Sequence, residues 1–458
     1  MTTNENQPPS KSRGQRLQQA FDRRLPEHSL RRGLAVGAFW TMAGSACSRG
    51  LVLATYVIMA RLLGKTVYGQ WSLVQAAVNT FALLGIAGLG MTVTHHVASY
   101  RSIDPARAGR ILCLCLLTAG VTVSVATACG AALSGVVARD ILNTPALHST
   151  LLVGCLLLFS MALCQVAQAA LAGFEDFAGL AGNNLAQGVL LLVSAYPLTK
   201  AMGLNGAVLA IGASWFLAMV LGLWRVRRNC RRLGVPLGLG GIWQERSVLK
   251  SFALPFLLGD GVGVLAMLLS QSAVGRIPGG FASLGGYNAS AQWRDILLFV
   301  PDSLRRIALP ILSRLRGHGH GDEYVRAVWV NVVLNASLAA LAAIPLMILS
   351  PWILSFYGPG FSADWPVMVV LLAAGVFQAL RDVLLQVTTS LGRIWSNALV
   401  ALAWAGTLAA VTLIGLPRYG VMAFAAGLAA AMLVATVLYG FIASRAIRRR
   451  PWHSQERS

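Results

Sequence analysis

Seven ionisable residues stand inside long apolar runs: Arg49, Asp260, Arg294, Asp295, Asp302, Arg381 and Asp382. The stretch "SAQWRDILLFVPDSLRRIALP" (Ser290–Pro310) holds three of them. A charge at mid-bilayer costs about 2.5–3.5 kcal/mol on insertion scales, so it persists mostly where it faces protein or water. Asp295 and Asp302 are seven residues apart and share one helix face, and Arg305 and Arg306 continue the stripe one turn beyond Asp302. Thr41, Ser45, Ser48 and Arg49 fall along another face, as do Gln378, Asp382 and Thr389. Arginine stays charged and offers a planar fork to phosphate or carboxylate oxygens. The acids suit two tasks: partnering arginine, or taking up H⁺ or Na⁺. Buried ion pairs that fix helix register use the same residue types. Arg381-Asp382 reads as such a pair, whereas no local pair is expected for Arg49 or Arg294. Asp260 lies among glycines in "LLGDGVGV", where a bend or close helix approach is possible.

The elements that must position these groups are membrane helices. The chain is 56% hydrophobic and only 12% charged, about half the charged fraction of a soluble domain. Apolar runs long enough to cross a bilayer recur throughout. About twelve spans are expected, near 35–60, 71–97, 110–138, 148–172, 178–199, 204–224, 249–273, 287–312, 326–350, 364–390, 394–416 and 420–443. Connections are short, so no extramembrane domain is expected. A polar, basic segment (1–34) precedes the spans, a basic linker (225–248) divides them, and a basic tail (444–458) ends the chain. "KSRGQRLQQAFDRRL" reads either as a short amphipathic helix, with Leu17, Ala20, Phe21 and Leu25 on one side, or as a disordered tail.

The basic residues set the orientation. With the N-terminus in the cytoplasm, roughly 28 of the 37 Lys and Arg fall in inner segments and about six in outer loops. Both termini are therefore expected in the cytoplasm. The net charge of +21 follows from this bias and points to anionic headgroups rather than nucleic acid. Six of the seven cysteines lie in spans and none in an outer loop, so no disulfide framework is expected. Cys113 and Cys115 point in different directions on a helix, and the short His motifs are too sparse for a metal centre. No cofactor signature is present.

A faint internal repeat divides the spans. "VYGQWSLVQAAV" (Val67–Val78) corresponds to "LGGYNASAQWRD" (Leu284–Asp295), with Gly69 and Gly286 at an offset of 217 (286 − 69). "LAGFEDFAGLAGNN" and "SLGRIWSNALV" align Gly173 with Gly392, at 219 (392 − 173), and "LNGAVLAIGA" and "YGVMAFAAGL" align Gly206 with Gly420, at 214 (420 − 206). The expected architecture is an all-α polytopic membrane protein with two six-helix lobes, 35–224 and 249–443, related by a pseudo-two-fold axis along the membrane normal.

"ARLLGKTVYGQWSLVQAAVNTFALLGIAGLGMTVTHHVASYR" (Ala60–Arg101) resembles the second-span signature of bacterial oligosaccharide flippases, in which RLLG and then YG precede an apolar helix, a GLG and a basic exit. "SFYGPGFSADWPVMVVLLAAG" (Ser355–Gly375) is similar to the entry to that family's tenth span, and the segment from Leu391 to its last two. Where the family usually has Pro or an acidic residue after RLLG, this chain has Lys65. The family belongs to the multidrug/oligosaccharidyl-lipid/polysaccharide exporter superfamily. The resemblance implies a flippase of the bacterial inner membrane, not an enzyme. It would carry undecaprenyl-diphosphate-linked oligosaccharides between leaflets by alternating access of two lobes, among membrane lipids and beside polysaccharide polymerase and export proteins. On that reading Arg49, Arg294, Arg305 and Arg381 bind the diphosphate and anionic sugars. Gln75 and Asn79, from a polar set that includes Gln165, Gln168, Asn183, Asn184 and Gln187, hydrogen-bond sugars or neighbouring helices. Asp260, Asp295, Asp302 and Asp382 couple an ion or pair with arginine.

Two rivals remain. A drug or cation antiporter of the same superfamily would favour an acidic, aromatic cavity, against which the intramembrane arginines argue. A membrane glycan polymerase would carry a large outer loop with catalytic groups, and the outer loops here are short. Reporter fusions test the topology: activity is expected to be cytoplasmic after Arg232 and in the tail, and periplasmic near Gly279 and Gly358. A periplasmic signal after Arg232 overturns it.

Overall fold

The structure, a computed structural model, describes residues 30–86, 89–238, 240–304, 321–391 and 394–448. Among these residues it is helical, with no strand. The expected amphipathic segment at Leu17–Leu25 lies outside the described residues.

The first lobe comprises α1 (Leu30–Ile86), α2 (Leu89–Tyr100), α3 (Pro105–Val136), α4 (His148–Leu156), α5 (Leu158–Gly173) and α6 (Phe177–Arg232). The second comprises α7 (Arg246–Arg276), α8 (Gly280–Leu297), α9 (Gly321–Ile348), α10 (Ser350–Ser355), α11 (Trp365–Ser390), α12 (Ile394–Tyr419) and α13 (Val421–Arg448). Among the described residues, eight segments are long and apolar enough to cross a bilayer. Two of these, Gly44–Ala82 and Phe177–Arg232, are kinked at Gly64 and Gly203. The second holds the fifth and sixth expected spans, and the first holds parts of spans one and two, the rest of span two (71–97) lying in α2. α7 and α8 stand where spans seven and eight are expected. α6 continues to Arg232, so the first part of the expected linker is helical. Many large apolar side chains in both lobes are exposed, among them Val193, Ile414, Ile348 and Leu341. Water would penalise the exposure of so many large apolar side chains, whereas lipid accepts it.

Positive-φ glycines mark the repeat. Gly64 (φ 73°) separates spans one and two, and Gly279 (φ 72°) precedes α8, 215 residues later (279 − 64). Gly203 (φ 56°) and Gly420 (φ 54°) lie at the corresponding turns, 217 apart (420 − 203). Gly206 was the expected partner of Gly420. It is helical and close-packed instead, because a Cβ there would strike the Leu198 carbonyl, and the left-handed turn belongs to Gly203. Left-handed backbone favours glycine, which lacks the Cβ that clashes there.

Within the first lobe α1 packs along α6; within the second, α13 packs against α11 and α12. The lobes meet where α1 crosses α8 and α7. Glycines permit this approach near Lys65. A Cβ on Gly69 would strike the Phe281 carbonyl, and one on Gly285 the Lys65 carbonyl. At the opposite end, Asp104 caps α3 by accepting from the Arg107 amide at 2.9 Å, and Asp176 caps α6 through Gly179 at 2.9 Å. Glu245 in the linker accepts from Arg107 Nε at 3.1 Å and lies 3.7 Å from Arg110, which ties the linker to the start of α3.

Gly69→Val is expected to lower stability by about 1–3 kcal/mol through overpacking between the lobes. Gly50→Ala, on a helix face with open space around it, should be neutral or stabilising. Thermal unfolding of the purified protein in detergent checks both.

Candidate functional site

Arg49 projects from the first lobe onto α8. Its Nη1 donates to the Asp295 backbone carbonyl at 2.8 Å, its guanidinium lies 4.9 Å from the Phe299 ring centroid, and its Nη2 stands 3.9 Å from the Asp302 carboxylate. Its side chain remains 41% exposed, so part of the fork is open to a ligand. A cavity of about 380 Å³ surrounds it, bordered by Ser48, Tyr56, Gln292, Asp295, Asp302 and Gln378. Of the faces expected on spans one, eight and ten, Ser48, Arg49, Asp295, Asp302 and Gln378 meet at this cavity, whereas Ser45, Asp382 and Thr389 do not border it. Serine 48 also anchors locally, its hydroxyl donating to the Asn184 carbonyl at 3.0 Å.

Arg294 departs from expectation. It does have a local partner, since its Nη2 lies 3.1 Å from the Oδ1 of the adjacent Asp295. Adjacent residues point about 100° apart on a helix, but a long guanidinium reaches back across that angle. Its stem runs over Gly375 of α11, where a Cβ would come within 3.0 Å of the Arg294 Cγ, and the side chain is only 15% exposed. Arg294 packs span eight to span ten and does not border the Arg49 cavity. Asp295, by contrast, is 63% exposed in it.

Arg381 and Asp382 form the pair their adjacency suggests, at 2.9 Å. Asp382 lies beside Asp302 and Asn335 in a small gap between α9, α11 and the segment that follows α8. The Asp260 side chain and the whole of Arg305 lie outside the described residues. Gln75, Asn79 and Gln187 border a first-lobe cavity of about 210 Å³. Gln168 and Asn184 instead bond each other across helices at 3.1 Å.

A further cluster closes the lobes at the Lys65 end. Lys65 Nζ lies 2.6 Å from the Asp364 carboxylate and donates to the Gly360 carbonyl at 2.8 Å. Arg61 Nε donates to the Phe356 carbonyl at 2.6 Å. Beneath them Tyr68, Trp71, Tyr357 and Phe361 are fully buried, with Tyr68 and Trp71 stacked at 5.1 Å and Tyr68 set edge-on to Phe361 at 6.1 Å. Gln292 Nε2 donates to the Tyr68 hydroxyl at 2.5 Å, and the Tyr357 hydroxyl to Gln292 Oε1 at 3.1 Å. Sequence reasoning found Lys65 as an unusual base but not its partner. The two stand at equivalent ends of different lobes, and only the fold brings them together.

The sequence pattern of the polysaccharide biosynthesis protein family matches residues 34–316. The EPS I polysaccharide export inner membrane protein EpsE of Ralstonia nicotianae is 22% identical over 400 residues, covering 85% of this chain and 88% of that one. Its counterpart in Ralstonia solanacearum is 21% identical over 397 residues, with the same coverage of 85% and 88%. An inward-facing multidrug resistance MATE family transporter of the MOP superfamily superposes with a TM-score of 0.73 at 12% identity, over 87% of this chain and 94% of that one. A MOP superfamily transporter from Pyrococcus furiosus, described as having a binding pocket of reverse polarity, superposes at 0.68 and 14% identity, over 91% and 96%. At these identities the structural likenesses establish the two-lobe transporter fold.

Removal of Lys65 (Lys65→Met) leaves Asp364 without its ionic partner, at an expected cost to Lys65-end closure of about 1–3 kcal/mol. A cysteine at Tyr68 should then react faster with a membrane-impermeant maleimide, and Lys65→Met with Asp364→Leu should react more slowly than Lys65→Met alone. Equal rates in all three backgrounds would remove the pair from the closure.

Proposed function

Since the chain belongs to the polysaccharide biosynthesis protein family, we propose that it is a flippase for undecaprenyl-diphosphate-linked oligosaccharide repeat units. It moves them from the inner to the outer leaflet of the bacterial cytoplasmic membrane for surface polysaccharide assembly, and catalyses no bond chemistry. Its neighbours in that process are membrane lipids and the polymerase and export proteins that consume the flipped unit. With both termini cytoplasmic, the Lys65 end faces outward, and the interlocked lobes represent the state that receives cargo from inside.

The observation that carries the reading is Arg49: a half-open guanidinium between the two lobes, in a cavity within the spans. Arginine in hydrocarbon is costly unless it faces water or an anion, and a diphosphate supplies oxygens matched to its fork. Because Arg49 grips α8 from the other lobe, anion binding competes with its bond to the Asp295 carbonyl and links cargo to lobe movement. Asp295 and Asp302, in the same cavity, are the acids best placed to couple an ion to that movement.

Reconstitution in vesicles with fluorescent undecaprenyl-diphosphate-linked oligosaccharide tests this. Arg49→Ala should abolish flipping at near-wild-type abundance, and Arg49→Lys should recover only part of it, since the bidentate contact is lost. Arg294→Ala should act differently, lowering abundance because it unpacks α8 from α11. Wild-type flipping by Arg49→Ala, or transport of organic cations that survives its loss, would favour the antiporter reading.

A further inference from the structure

The last turns of α6 carry charge that the protein itself does not answer. Trp224, Arg227, Arg228, Arg231 and Arg232 are exposed there, whereas Val226 and Cys230 between them are buried. At about 100° per residue the five exposed residues fall within an arc of about 140°, so they form one outward stripe. The Arg228 guanidinium lies 5.8 Å from the Trp224 ring centroid. Among the described residues, no carboxylate or hydrogen-bond acceptor meets Arg227, Arg228, Arg231 or Arg232. The acids at this end of the first lobe are engaged elsewhere: Glu175 with Arg101 at 2.7 Å, Asp176 with Asn229 at 2.8 Å, and Glu245 with Arg107 and Arg110. The longer segments outside the described residues, 1–29, 305–320 and 449–458, each hold more basic than acidic residues. The complementary charge therefore comes from outside the chain.

The same face continues as an apolar ridge. Val220 is exposed one turn before Trp224, and Phe216 two turns before it. Phe216 and Arg231 are fifteen residues apart (231 − 216), about 22 Å along the helix axis. Half a bilayer with its headgroups is roughly 20–22 Å deep. The ridge is apolar, then aromatic, then cationic over that depth. It matches a single phospholipid, with the chain against Phe216 and Val220 and the headgroup against the arginines. Tryptophan at the junction is the side chain that favours the headgroup level.

Two anionic lipids suit such a stripe: a phospholipid of the bilayer and the lipid-linked diphosphate. Position decides between them. Trp215, which borders the first-lobe cavity, lies nine residues from Trp224 (224 − 215), about two and a half turns along α6 and so on its opposite side. That cavity shares Val52 and Tyr56 with the Arg49 cavity. The body of α6 thus stands between the stripe and the path of the cargo. We propose that the last two turns of α6 form a binding site for an anionic phospholipid headgroup of the inner leaflet, occupied by bilayer lipid and not by cargo. The leaflet follows from the orientation proposed above, and the site itself does not depend on the flippase reading.

The test uses full-length protein in detergent, titrated with phosphatidylglycerol or phosphatidylcholine of matched chains and weighed by native mass spectrometry. Wild type should hold the first phosphatidylglycerol about fivefold or more tightly than the first phosphatidylcholine. Arg228→Gln with Arg231→Gln should bring the two affinities to within about twofold, and Arg228→Lys with Arg231→Lys should keep about half of the preference or more. Arg139→Gln with Lys200→Gln removes equal charge at the opposite end of the lobe and should leave the preference unchanged. Photoreactive benzoylphenylalanine in place of Val220 keeps every arginine, so it reads the site even where the Gln pair fails to accumulate. It should capture phosphatidylglycerol in preference to phosphatidylcholine, and equimolar undecaprenyl diphosphate should not displace it. The site is overturned if wild type shows no preference, if the preference survives the Gln pair, if loss of Arg139 and Lys200 lowers it equally, or if the Val220 probe captures both phospholipids alike. Displacement by undecaprenyl diphosphate would assign the stripe to cargo and overturn the proposal as well.

Discussion

The cost of bare charge in hydrocarbon governs this structure. Each arginine and aspartate within a span must face a partner or a wet space, and this chain offers few of either. Arg294 and Arg381 meet the requirement locally, through Asp295 and Asp382. Arg49 meets it across the lobes, through a backbone carbonyl and a distant carboxylate. A carbonyl satisfies one N–H direction but does not neutralise the charge. The least compensated of these described cations is therefore also the one placed where the lobes separate.

That placement depends on the glycine-lined crossing of α1 and α8. Without side chains at Gly69 and Gly285, backbones approach closely enough for Lys65 to reach Asp364 and for Tyr68 and Phe361 to interleave. Apolar and aromatic packing gives this closure its bulk, and the hydrogen-bonded Gln292 and Tyr357 give it register. Such an interface holds two lobes firmly yet breaks as a unit, because it is a set of discrete contacts rather than a continuous core. The same α8 that closes this end also supplies Asp295 to the cavity below it, and Asp302 follows just past its end. Movement of one helix therefore alters both.

Much of this was legible in the sequence. Apolar runs gave the spans, and helical periodicity placed Ser48, Arg49, Asp295, Asp302 and Gln378 on faces that the fold brings to one cavity. Glycine spacing gave the repeat, although the left-handed turn falls at Gly203 and not Gly206, because span-boundary glycines serve both turning and packing. What sequence could not supply was contact between helices far apart in the chain. Lys65 with Asp364 and the stem of Arg294 over Gly375 both depend on how helices cross. Periodicity assigns a residue to a face, and packing decides what that face meets.

The central claim is that Arg49 receives the diphosphate of a lipid-linked cargo between the lobes. A cryo-electron microscopy structure of the protein in nanodiscs with undecaprenyl diphosphate tests it most directly. The account predicts diphosphate density within hydrogen-bonding distance of the Arg49 guanidinium, with the bond to the Asp295 carbonyl broken. Density confined to the basic surface around Arg225–Arg232, with Arg49 still bound to α8, would contradict it.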